Sequence, residues 1–175
     1  MHIFSIILGL HILGGSIGLV AGTIVLFLKK GDRKHKIIGT FFYWGMNLAG
    51  LCSFILAVMH PNRFLFIVGI FTLYMNLTAR SYLKFKKKEA VINFKDSIPT
   101  MGMLIAATFF VIDGIKTLTK DSFGWVLLSF AFISLRFVLA DYMFFKGKSK
   151  FSNQWLLSHL QRMIGTYIAS ITAFL

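Results

Sequence analysis

Acidic residues are scarce in this 175-residue chain: six Asp and Glu stand against nineteen Lys and Arg. Proline occurs twice and cysteine once, as Cys52 inside an apolar run. A single thiol excludes an intrachain disulfide framework, a CxxC pair and a cysteine metal site, and leaves Cys52 as a small packing residue. No serine, cysteine or carboxylate arrangement for hydrolysis stands out. No phosphate loop or dinucleotide fingerprint occurs either, so no reaction is named by the residues. Ser129, Ser134 and Ser170 read as interhelical hydrogen-bonding groups.

What the chain has in abundance is apolar. Hydrophobic residues make up 57%, aromatics 16% and charged residues only 14%, with a mean hydropathy of +0.75, beyond ordinary soluble domains. Such a chain calls for a lipid solvent. Apolar stretches fall at about residues 3–28, 36–59, 62–83, 97–116, 122–145 and 153–174, each near the roughly 20 residues that cross a hydrocarbon core of about 30 Å. A barrel would need short alternating segments, so helix is the form these stretches take. The expectation is an all-α, polytopic protein, one transmembrane domain over 1–175 built as a bundle of six transmembrane helices. Met1 to Leu28 lacks a basic n-region and is too long for a signal peptide, so it reads as a first span that stays.

The positive charge marks the connections. Lys29, Lys30, Arg33, Lys34 and Lys36 lie between spans 1 and 2. Arg80, Lys84, Lys86, Lys87, Lys88 and Lys95 lie between spans 3 and 4, and Lys146, Lys148 and Lys150 between spans 5 and 6. The opposite side carries only Arg63, Lys116 and Lys120. The positive-inside rule then puts the odd loops in the cytoplasm and both termini on the outer side. The net charge of +13 is thus an address rather than a nucleic-acid groove. Lys84 to Lys88 should also draw anionic lipids to the cytoplasmic face. Pro61-Asn62 marks an outer turn, Pro99 stands near the first turn of span 4, and Trp125 and Trp155 fall near opposite interfaces.

Gly14, Gly18 and Gly22 make a smooth stripe along span 1, continued by His11, and His35, Gly39, Met46 and Gly50 make a weaker one on span 2. Ionisable residues inside spans cost free energy unless they face a partner or water, which makes them site candidates. By helix rise, Arg136 and Arg162 both lie about 12–13 Å from the cytoplasmic ends of their spans. His159 sits one turn shallower, Tyr43 and Asn76 come near the same level, and His35 stands at the mouth. Asp141 is the one nearby acid and is turned about 140° from Arg136 around its helix, so an anionic group such as haem propionates or a lipid phosphate would remove the positive excess. Toward the outer face, His11, His60 and Asp113, with His2 at the terminus, are candidates for a transition metal, though their spacing matches no ligand motif.

His11-x-x-Gly14-Gly15, then Lys30-Gly31-x-x-x-His35-x-x-x-Gly39, and His159-x-x-Arg162-Met163 with Thr172-Ala173-Phe174 form a pattern. It resembles a family of small bacterial multi-span membrane proteins catalogued as a domain of unknown function. The likeness runs over nearly the whole chain and implies an all-helical inner-membrane protein with His11, His35, His159 and Arg162 as the positions to watch. Lys36 stands where that family usually carries arginine.

Three functions follow as expectations. In the first, histidines, with His35 and His159 as one pair, hold haem b or a quinone for electron transfer beside Arg136 and Arg162. In the second, a transporter or lipid-binding protein recognises an anionic ligand through the same belt. In the third, the chain is a non-catalytic subunit or assembly factor whose glycine-lined faces dock a partner, as a homo-oligomer or within a larger membrane complex.

Overall fold

A computed structural model describes residues 2–86, 91–148 and 153–174. These form six long α-helices: α1 (His2–Phe27), α2 (Arg33–Met59), α3 (Arg63–Tyr82), α4 (Phe94–Leu118), α5 (Phe123–Phe145) and α6 (Gln154–Phe174). A 3-10 turn, Leu83–Lys86, extends α3, and the described residues contain no strand. Lys87, Lys88 and Lys150, assigned above to the basic loops, lie outside the described residues. α1 to α5 are long and apolar enough to cross a membrane. α6 carries Gln154, His159, Gln161 and Arg162 and does not reach that apolarity over its length, so five of the six expected spans stand on length and composition.

Local chemistry sets the ends. The side chain of Asp32 accepts the His35 N–H at 2.7 Å, which starts α2 at Arg33, three residues before the apolar stretch begins. The Asp96 carboxylate accepts the Asn93 N–H at 2.8 Å, so α4 begins at Phe94 and Pro99 lies in its second turn rather than its first. Gly31 (φ 83°) closes the α1–α2 turn and Gly147 (φ 66°) follows α5, both in the left-handed region that glycine adopts without strain.

The chain divides into two compact units. The first comprises residues 1–77 and 161–175. Its main seam joins α1 to α2, where only Gly14, Gly15, Gly18, Ala21 and Gly22 of α1 are buried. A Cβ on Gly45 would stand 2.8 Å from the Gly14 carbonyl oxygen and 2.9 Å from the Gly18 nitrogen, so the two backbones meet with no room for a methyl group. Ala21, Phe42 and Met46 form a cluster with Ile38, Met163 and Tyr167 packed on it. The second unit, 78–160, holds α4 against α5 in the same manner, since a Cβ on Gly124 would meet the Gly114 carbonyl oxygen at 2.7 Å.

Polarity is distributed opposite to that of a water-soluble domain. Ser158, Arg162, Thr166 and Ser170 follow one another at four-residue intervals along α6 and are all buried. Leu156, Leu160, Ile164, Ile168 and Ile171 of the same helix are exposed. Asn76 on α3 and Ser134 and Asp141 on α5 are buried, while Phe41, Trp44, Ile105, Phe132 and Leu139 face outward. Exposed apolar residues are normal singly, and helix after helix with this pattern is compatible with an apolar surrounding medium.

Candidate functional site

In the first unit the imidazole of His11 reaches from α1 to α2. Its Nδ1 lies 3.0 Å from the Ala49 carbonyl oxygen and 3.3 Å from Ser53 Oγ, which itself donates to the same carbonyl at 2.9 Å. A carbonyl only accepts, so Nδ1 carries a proton and donates it to this bond. The glycine stripe one turn further on is what lets α1 approach closely enough for this bond. His60 caps the end of α2 and packs edge-on against Phe4 at 4.4 Å, and like His2 it is exposed.

Further along α2, the Tyr43 carbonyl accepts from Asn47 Nδ2 at 3.0 Å and from Asn76 Nδ2 of α3 at 2.8 Å. Asn76 is fully buried, and its Oδ1 has no hydrogen-bond partner among the described residues. Nδ1 of His35, at the cytoplasmic mouth in the sequence reading, is likewise buried without one. Such orphaned atoms are uncommon in a folded interior and are satisfied by a water or a ligand group. Arg162 is fully buried and engaged with other groups, and the Thr166 hydroxyl donates to its carbonyl at 2.9 Å. Tyr167, one turn further, shares a 2.8 Å hydrogen bond with Thr23 of α1.

The second unit contains the only other fully buried charge among the described residues, the Asp141 carboxylate. Tyr82 of α3 donates to its Oδ1 at 2.6 Å and Thr100 of α4 to its Oδ2 at 2.9 Å. Arg136, five residues earlier on α5, is exposed. The offset of about 140° therefore places the acid inward and the base outward. His159 of α6 repeats the geometry of His11, its Nδ1 3.0 Å from the Ala79 carbonyl oxygen on α3. At the end of this unit Lys84 pairs with Asp96.

Of the residues singled out from the sequence, the structure brings Tyr43 and Asn76 together and gives His11 and His159 equivalent tethers. Arg136 does not join Arg162 in the buried interior, because depth along a helix says nothing of the direction around it. Among the described residues no three His, Cys, Asp or Glu side chains converge to hold an ion, the suggested set of His11, His60 and Asp113 included. The sequence reading missed Tyr82, Thr100, Asn47 and Ser53. For Asn47 the signal was a polar residue on the same helical face as a named one, four residues after Tyr43.

No protein-family model matches the chain, and comparison with curated proteins and with solved structures gives no match.

Proposed function

We propose that this chain is an integral membrane protein that holds a redox group, haem b or a quinone, for electron transfer at a histidine tethered within one of its two units. The setting is the bacterial inner membrane, with the Lys-rich turns on the cytoplasmic side and both termini outside. The observation that carries the redox reading is the state of His11 in the first unit, whose Nδ1 is bonded to a main-chain carbonyl of a facing helix; His159 carries the same kind of bond within the second unit. On His11 that bond fixes the ring orientation and leaves Nε2 as the electron-pair donor of the neutral tautomer, the form in which imidazole ligates iron or accepts a proton from a hydroquinone hydroxyl. A bound haem or quinone would supply the electron chemistry. The protein contributes the fixed imidazole, the water-poor surroundings, and orphaned acceptors such as Asn76 Oδ1.

Two observations favour this over the other readings. Arg162 is the one buried arginine among the described residues and Arg136 is exposed, which leaves one interior guanidinium rather than two to recruit an anionic substrate. Gly14 and Gly18 of α1 and Gly45 of α2 meet one another, and Gly50 of α2 meets Leu73 of α3, so these glycines are not left for a docking partner.

Protein purified in mild detergent should show a Soret band with stoichiometric iron, or else release a quinone on organic extraction. His11→Ala should remove that signature, and His2→Ala should not. Colourless, iron-free protein with no extractable quinone would overturn the reading.

A further inference from the structure

The surface of the first unit carries an open groove of about 400 Å³ between α1 and α2, lined by Ser16, Ile17, Val20, Ala21, Ile24, Ile38 and Phe41. We infer that it seats one acyl chain of an anionic phospholipid whose phosphate rests on the basic α1–α2 turn. The lining is apolar apart from Ser16, and it is open to the surroundings: Val20 is 59% and Phe41 58% exposed. Ser16 to Ile24 covers about 12 Å of helix rise, and Lys29 follows about 7 Å further on, so groove and charge lie in line along the membrane normal. On α2, Lys34 stands one turn before Ile38 on the face that continues to Phe41.

Charge complementarity selects the occupant. Lys29, Arg33 and Lys34 are exposed at this end. Lys30 is spent on the α1 terminus, where its Nζ donates to the Val25 and Leu26 carbonyls at 2.7 Å each. A second copy in the same membrane orientation would bring identical basic turns side by side, and a zwitterionic lipid would leave them uncompensated. An anionic headgroup neutralises them while its chain fills the groove. This extends the membrane placement argued above and does not depend on the redox group.

The test is native mass spectrometry of the full chain, purified and exposed to equimolar phosphatidylglycerol and phosphatidylcholine of matched chains. One phosphatidylglycerol per chain should be retained over phosphatidylcholine by about tenfold or more, as expected of two basic side chains beside one phosphate. Arg33→Ala with Lys34→Ala should bring that ratio near unity. Val20→Trp, at an exposed site, should expel the lipid whatever its headgroup, and Lys84→Ala should leave binding intact. Glycerol 3-phosphate alone should not bind, which separates a lipid from a free phosphate. Equal retention of both lipids, a preference that survives these variants, or a dimer that occludes the groove would each overturn the inference. Retention in carbonate-washed membranes, measured in parallel, separates the two failures: protein that stays but lacks lipid preference refutes this inference alone, whereas protein that washes off refutes the membrane placement as well.

Discussion

The α1–α2 seam and the Asp141 cluster solve one problem by different means. At the seam, glycines bring two backbones together until Gly45 touches Gly14 and Gly18, and the side chain of His11 bridges the helices by hydrogen bond. Around Asp141 the helices are joined by side chains: a carboxylate on α5 takes one hydroxyl from α3 and one from α4. Where lipid replaces water, burying apolar groups gives helices little reason to associate, and close van der Waals approach and buried hydrogen bonds are the two devices left. The first tolerates almost no added volume. The second tolerates volume but no loss of a partner.

Asp141→Ala should have the largest effect on thermal or denaturant stability in detergent, a loss of about 3–4 kcal/mol, because two buried hydroxyl donors lose their acceptor at once. Gly45→Val should follow at about 2–3 kcal/mol through overpacking against main-chain atoms that cannot rotate away. An equal or larger tolerance at Gly45 than at Ala49 would break the comparison. Tyr82→Phe removes one donor and leaves Thr100 in place, so it should cost about 1–2 kcal/mol. Gly102 sits on α4 with nothing within 4 Å of an added Cβ, and Gly102→Ala should gain about 0.5 kcal/mol from helix propensity alone. A loss there would mean that the outer face of α4 is covered.

Much of the fold was legible because membrane-length apolar stretches separated by basic turns can form little else. The helix ends moved where caps outweighed hydropathy, at Asp32 and Asn93. Less of the site was legible, for a reason the two arginines make plain. Counting rise per residue placed Arg136 and Arg162 at one height, yet Arg136 is exposed and Arg162 fully buried. Height follows from sequence position, but direction around the helix must be read from which face is polar. In α6 the buried face is the polar one, from Ser158 through Arg162 and Thr166 to Ser170, the reverse of the rule for a helix on a soluble protein. Tyr82 and Thr100 escaped notice because their partnership with Asp141 joins three helices, a relation that no spacing along one helix reveals.

The account turns on lipid being the medium around the exposed apolar faces, and tryptophan fluorescence reads that medium directly. Trp44 is 62% exposed in the middle of α2. In a Trp125→Phe, Trp155→Phe background, reconstituted in bilayers of brominated phosphatidylcholine, its emission should be strongly quenched and should respond little to aqueous iodide. Quenching by iodide with no effect of the brominated chains would contradict the account.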